Sequence, residues 1–317
     1  MKISIVIRTL NEARYLPQLL VGIEKQSIDN NEIEVIVVDS GSTDGTPRIA
    51  ERFGARLLHI DRNEFSFGRS LNRGCNAALG EFLVLISGHC VPENDNWLEE
   101  LIAPFEDEKV AITYGRQLAG PETQFSEKQL FANYFPDSDT TPPNEFFCNN
   151  ANAAVRKSIW EEYKYDEEVT GLEDMLLGKE VVKDGHRVQY CHRAGVYHYH
   201  HEAWSQIKRR FEREAIALQQ IMPEVHVSML DGVRYWFAGV LGDWSVAISE
   251  KQFLKQALSI ATYRACQYYG AWRGNHAHRA LSRAAKERYF YPRASRSSES
   301  ENLAISTESS QQASSAT

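Results

Sequence analysis

The chain of 317 residues lacks any apolar run long enough to span a bilayer. Met1-Lys2 leads directly into a short strand-like run, not into the charged and apolar regions of a signal peptide. Its five cysteines (Cys75, Cys90, Cys148, Cys191, Cys266) are an odd number with no C-x-x-C pair. A disulfide framework and a zinc cage are therefore not expected, and a reducing cytoplasm is. No internal repeat is present, which excludes a solenoid. No G-x-G-x-x-G follows the first strand-like run, which argues against a dinucleotide-dependent oxidoreductase. Basic residues are scarce in the first two thirds: residues 1–203 carry 20 basic and 33 acidic side chains. Nothing here suggests a nucleic-acid partner.

What is present is a repeating alternation of strand and helix. "KISIVIRTL" and "IEVIVVDS" are β-branched runs, and "ARYLPQLLVGIEKQ" between them sets Leu16, Leu19, Leu20 and Ile23 at helical spacing. "TPRIAERFG", "ARLLHI", "GRSLNRGCNAAL" and "EFLVLIS" continue the pattern as helix, strand, helix and strand. Such alternation predicts an α/β open sheet with parallel strands, whose ligands bind beyond the strand carboxyl ends. The residues to examine are therefore Thr9, Asn11 and Glu12 after the first strand, Asp39 and Ser40 after the second, and the stretch Ser87-Gly88-His89-Cys90. From Gly115 the order loosens into long loops, with a strand expected near Phe146–Phe147 and a helix starting near Arg156.

"VIVVDSGSTDGT" carries the clearest chemistry. A carboxylate at a buried strand tip, followed by a Gly-rich turn, offers hydrogen-bond acceptors to a nucleobase or ribose and lets backbone approach the ligand. Taken alone it is equally an ordinary helix N-cap at Ser42 or Thr43. Together with "TLNEARYL", the sequence resembles a family 2 glycosyltransferase, an inverting enzyme of GT-A fold. "GLEDMLLGKEV" is similar to that family's Glu-Asp motif, and "YGRQ", "FFCNNANAAVRKSIWEE" and "AGVYHYHHEAW" resemble its rhamnosyltransferase-like branch. The resemblance covers residues 1–215, leaving 216–292 as a helical extension and 293–317, rich in Ser, Ala, Gln and Thr, as a disordered tail.

The resemblance implies that Thr9, Glu12 and Asp39 hold the base and ribose of a UDP- or dTDP-sugar, with Asn11, Ser40 and Ser87 beside them. It implies that Asp174, second of the Glu173-Asp174 pair, is the catalytic base. A transfer with inversion needs a carboxylate to take the acceptor hydroxyl's proton, and a helix N-terminus favours its ionised form. Asn150 and Asn152, with Asn149, are candidates to bond an acceptor sugar, although Asn is also the common loop residue. Arg73, with Asn72, either faces the donor diphosphate or lies in solvent on its helix. Lys208, Arg209, Arg210 and Arg213 either neutralise that diphosphate or coat a surface. The family's paired aspartates are missing: Ser87 and His89 stand in their places. Downstream, His198 and His200 lie at period two. The resemblance implies that a histidine here completes a metal shell, giving His89, His198 and His200 as ligands of a divalent cation, manganese or magnesium, held partly by the donor diphosphate. Neutral imidazole suits zinc, cobalt or nickel better than manganese.

The expected activity is transfer of a hexose or deoxyhexose from a UDP- or dTDP-sugar to a saccharide or lipid-linked saccharide. The alternative is a non-catalytic nucleotide-sugar-binding module with a degenerate metal site, against which the intact Glu173-Asp174 pair speaks. Residues 204–296 carry 15 basic and 7 acidic side chains among Trp236, Phe237, Trp244, Tyr263, Tyr268, Tyr269 and Trp272. That composition suits peripheral contact with the inner face of a membrane, or packing on the catalytic domain or on a second subunit of a homodimer.

Overall fold

The computed structural model describes residues 2–28, 32–138 and 144–277. The expected tail at 293–317 and the end of the expected extension, 278–292, lie outside the described residues. The first half alternates as read from the sequence: β1 (Ile3–Thr9), α1 (Leu16–Glu24), β2 (Ile33–Asp39), α2 (Thr46–Arg52), β3 (Arg56–His59), α3 (Phe67–Ala77) and β4 (Phe82–Ser87). Then come β5 (Cys90–Pro92), α4 (Trp97–Ile102), β6 (Val110–Ala119), α5 (Phe125–Tyr134), β7 (Asn152–Arg156), α6 (Lys157–Tyr163), α7 (Glu173–Lys183) and β8 (Arg187–His198). Three helices close the described chain: α8 (Trp204–Ile221), α9 (Met229–Ser249) and α10 (Phe253–Asn275).

The strands form one sheet in the order β3-β2-β1-β4-β7-β6-β8-β5. β1 pairs in parallel with β2 and β4, β2 with β3, and β6 with β8. β7 runs antiparallel to both β4 and β6, and β5 antiparallel to β8. Period two divides β1 between two cores. Ile3, Ile5 and Ile7 pack with Leu16, Leu19 and Ile23 of α1 on one face. Val6 packs with Leu71 and Cys75 of α3 on the other. Burying each such aliphatic side chain contributes about 1.5–3 kcal/mol, so the sheet centre is the rigid part of the fold. A third cluster joins Phe125 to Val240, Ala247 and Ile260, tying α5 to α9 and α10.

One expected element is displaced. Phe146–Phe147 is not a strand; the strand of that region is β7, beginning at Asn152. The asparagines explain the shift. Asn144 Oδ1 accepts from Phe146 N (3.1 Å) and Asn149 Oδ1 from Ala151 N (3.0 Å), so local side-chain turns take the backbone groups that a strand needs. Phe147 instead packs its ring against Tyr114 and Tyr134. α8 runs through residue 215 without a break, and α10 lies along it.

Candidate active site

A cleft of about 1050 Å³ opens at the carboxyl ends of β1 and β4 and is closed by α5, α8 and α10. The loop after β1 lines it through Leu10, Asn11 and Glu12, and is sewn to the loop after β2. Asp39 is buried; its Oδ2 accepts from Gly41 N and Ser42 N (both 3.0 Å), and its Oδ1 from Thr9 Oγ1 (3.2 Å). Ser40 Oγ donates to Thr9 O (3.1 Å). Asn11, held at φ 60°, donates its N–H to Ser42 Oγ and accepts from Thr43 N, both at 2.8 Å. The structure therefore brings Thr9, Asn11, Asp39 and Ser40 together, with Asp39 as the brace of the turn. Asp39→Ala removes a charged acceptor from two amides and a hydroxyl. The expected result is a loss of about 1.5–3 kcal/mol in UDP or dTDP affinity, with a lower Tm. Unchanged calorimetric affinity would show that this turn does not serve the nucleotide.

Glu12 does something the sequence does not announce. Its Oε1 accepts from His89 Nδ1 at 2.7 Å. Gly88 makes this possible: a Cβ there would lie 2.9 Å from both Glu12 Cγ and Thr9 Cγ2. His198 Nδ1 is 2.7 Å from Gln117 Oε1, and His200 Nδ1 is 2.8 Å from Glu127 Oε1. Each of the three imidazoles thus has Nδ1 against an acceptor, and the Nε2 atoms of His89 and His198 turn towards each other. His89, His198 and His200 form a group whose ligand atoms all lie within 4.8 Å of one another. His200 lies beyond the end of β8, yet its ring stays 4.1 Å from that of His198. Burial, and then His200 and His89, hold His198 well below the usual histidine range, so its imidazole is neutral. The Nε2 atoms of His89 and His198 face each other at 3.0 Å. Neutral imidazoles hold that arrangement favourably when a cation or a shared proton lies between them. Ligating histidines ordinarily donate their second nitrogen to a carboxylate or amide, so the donor set fits a divalent cation.

A second acidic group, Glu127, His200 and Glu202, is already served by Arg210. Arg210 NH2 lies 2.6 Å from Glu127 Oε1, and Nε donates to Glu202 Oε2 at 2.8 Å. Burial pushes the Glu127 carboxyl up, but the bonds from His200 and Arg210 outweigh it and hold it at about 2. Of the two readings left open for Arg210, a plain surface coat does not describe it: it is partly buried in the cleft wall and braced by two carboxylates. Glu127 and Gln117, both far in sequence from the histidines, escaped the sequence reading altogether.

Asp174 begins α7 beside Leu172 and Met175, which line the cleft. Its Oδ2 accepts from Asn150 N and its Oδ1 from Met175 N, both at 2.8 Å. Burial and then the neighbouring Glu173 push its carboxyl up to about 7, against those two amides. The expected effect of the helix N-terminus is outweighed, because desolvation of a buried carboxylate exceeds what the dipole offers. Glu173 pairs with Arg8 NH1 at 3.2 Å.

The other expected residues divide. Ser87 and Asn149 line the cleft, and Asn150 braces Asp174. Asn152 is fully buried, accepting from Trp97 Nε1 (2.9 Å) and donating to the carbonyls of Arg116 and Ala194 (3.1 and 2.8 Å). It has no group left for a ligand. Arg73 is exposed on α3 and does not line the cleft. Asn72 accepts from Trp160 Nε1 and Tyr165 N, both at 3.0 Å, locking α3 to α6.

The O-antigen chain rhamnosyltransferase WbaN of Salmonella anatum is 30% identical over 188 residues, 55% of this chain and 59% of that protein. The O-antigen chain rhamnosyltransferase RfbN of Salmonella typhimurium is 27% identical over 213 residues, 63% of this chain and 67% of that protein. The match thus spans about three fifths to two thirds of these relatives' lengths. Among solved structures, a mannosyltransferase of Pyrobaculum calidifontis in complex with GDP-Man and Mn²⁺ superposes with TM-score 0.59 at 16% identity, over 92% of this chain and 88% of that one. The fold is that of the GT-A glycosyltransferases. The sequence model of the glycosyl transferase family 2 matches residues 4–164, and the chain belongs to that family.

Proposed function

We propose that the chain is an inverting glycosyltransferase that moves a hexose or deoxyhexose from a UDP- or dTDP-sugar to a saccharide, free or lipid-linked. What supports this reading is a cleft lined by His89, His198 and His200 and, on its wall, by Leu172 and Met175, which flank an amide-braced buried carboxylate, Asp174. In the proposed step the acceptor oxygen bonds to the anomeric carbon from the face opposite the diphosphate. Its proton passes to Asp174, and the bond to the diphosphate breaks with its electron pair leaving on oxygen. Glu173 and Asn150 position that carboxylate. His89, His198 and His200 would hold a divalent cation, which when bound neutralises charge on the departing diphosphate. The rhamnosyltransferase relatives make a rhamnose-type donor the first to try.

A thermal-shift panel of UDP-, dTDP- and GDP-sugars tests the reading. A donor at 100 times its Kd stabilises by about 2.7 kcal/mol, and NMR of the product then reads the anomeric configuration. No shift with any donor, or a retained configuration, would refute the proposal.

For the acceptor side, the reading includes contact with an anionic bilayer through α9 and α10. Trp236 and Trp244, expected at such a surface, face inward and donate to Ala261 O and Ala257 O (3.0 and 3.1 Å). The outward face is instead mostly aliphatic, with one aromatic ring: Leu230, Phe237, Leu241 and Ile248 on α9, Leu254 and Leu258 on α10, all more than half exposed. Arg234, Lys251 and Lys255 are exposed beside them, α10 contains no acidic residue, and Asp243 is consumed by Arg264 (2.7 Å). The opposite side of α10 lines the cleft through Gln267, Tyr268 and Ala271, so a membrane-borne acceptor would meet both. No helix among the described residues is long and apolar enough to cross a membrane. Co-sedimentation with anionic vesicles at low salt is expected, weakened in Leu254→Ser/Leu258→Ser. A chain that stays in the supernatant, or forms a dimer through this face, would refute the contact.

A further inference from the structure

We propose that Arg213, set against the Phe67 ring in the cleft wall, clamps a phosphate oxyanion that a substrate carries into the cleft. The Arg213 guanidinium, from α8, lies 4.6 Å from the centroid of Phe67, and that of Arg8, from β1, lies 5.1 Å from the same ring. The sheet and the helical layer thus each set a guanidinium against that ring, and of the two Arg213 lines the cleft. Only one of them is neutralised nearby: Arg8 pairs with Glu173 (3.2 Å), whereas Arg213 forms no such pair among the described residues. Its Nε is buried without a hydrogen-bond partner. Burial lowers its pKa, with Glu214 and Glu202 attracting it only through space. A guanidinium whose Nε is buried and unpaired is unfavourable unless a ligand in the cleft supplies the charge. Arg210, one turn earlier on α8, is by contrast saturated by Glu127 and Glu202.

The placement is constrained. Phe67, Leu172 and Arg213 all line the cleft. Thr170 Oγ1 donates to Arg213 O (3.1 Å), latching α8 to the segment that precedes Glu173-Asp174. A Cβ on Gly171 would already lie 3.3 Å from Arg213 Nε, so that segment passes tightly beside the guanidinium. The planar fork of Arg recognises two phosphate oxygens at once. The oxyanion has two sources under the transferase reading on which this clamp rests: the donor's diphosphate, or a phosphate on a phosphate-linked acceptor.

Calorimetry on the full chain separates them, using inorganic pyrophosphate, UDP, dTDP and the matching monophosphates as probes. If the donor is the source, Arg213→Gln weakens pyrophosphate and nucleoside diphosphates roughly 10- to 100-fold, with nucleoside monophosphates little changed and Arg213→Lys partly restoring affinity. If the acceptor is the source, those affinities hold and KM rises by a similar factor for a phosphate-linked acceptor but not for a phosphate-free saccharide. No change in either quantity overturns the clamp. Should the Gln variant fail to fold, phenylglyoxal labelling of the wild-type chain decides: protection of Arg213 by pyrophosphate or by the phosphate-linked acceptor supports it, and no protection overturns it. A chain that binds pyrophosphate through Arg213 but turns over no nucleotide sugar would remove the transferase reading and leave the clamp. An active transferase indifferent to Arg213→Gln would do the reverse.

Discussion

Asp174→Asn is expected to lower kcat about 10²–10⁴-fold, the usual worth of general-base assistance, while donor affinity stays near that of the wild type. The side chain sits at the start of α7, with Asn150 N and Met175 N bonded to its two oxygens, so its direction is fixed before any substrate arrives. Burial and Glu173 raise its carboxyl to about 7. A base in that range is about half ionised at neutral pH and accepts a proton readily, and kcat/KM of the wild type should rise with pH through about 7. The variant should lose that acid limb.

The same shift has a stability signature of definite sign. The folded pKa is raised from 3.8 to about 7, so between those values the folded state binds a proton that the unfolded state has released. Stability therefore falls as pH rises through that window, by at most about 4 kcal/mol. Asn cannot titrate, so the Tm of Asp174→Asn relative to wild type should climb between pH 4 and pH 8. An offset is present at every pH, because the Asn amide turns a donor towards one backbone N–H. Near wild-type turnover by a folded variant would remove Asp174 from the base position.

The parts of this site that were legible in the sequence are those made locally. A β-branched run ending in Asp39 and a Gly-rich turn fixes a strand tip, a loop and a helix start within twelve residues. The absence of carboxylates at Ser87-Gly88-His89 was equally visible. What could not be read is partnership across the fold. Glu127 reaches His200 from a helix 73 positions earlier, and Gln117 reaches His198 from a strand 81 positions earlier. Periodicity says that α5 is a helix but not which strand end its carboxylate meets. Asn152 shows the converse error: a loop-type residue whose amide is spent bridging Trp97 and two carbonyls inside the sheet. Trp236 and Trp244 are similar, since composition marked them for a surface and their indole N–H groups found carbonyls on α10.

Replacing His89 or His198 by Ala should abolish firm, cation-dependent binding of UDP or dTDP and leave cation-free binding little changed. Both side chains offer neutral nitrogen donors, so a cation bound to them alone keeps its full charge and holds weakly. A nucleoside diphosphate supplies the missing anionic oxygens, which makes cation and nucleotide bind tighter together than either does alone. Calorimetric titration of Mn²⁺ with and without UDP reads this coupling directly, with no need for turnover. Imidazole-rich sites rank cobalt, nickel and zinc above manganese and magnesium, so that order is expected in competition. Gln117→Leu gives a finer test, because it removes the acceptor on His198 Nδ1 without touching a ligand atom. Loss of such an outer partner typically lowers metal affinity about 10- to 100-fold. The rival account is a proton shared between the two Nε2 atoms at 3.0 Å, with arginines alone facing the diphosphate. On that account excess EDTA leaves nucleotide affinity and sugar transfer untouched, and His89→Ala alters neither. Observing both would show that the histidines in the place of the family's aspartates are a hydrogen-bonded pair and not a metal centre.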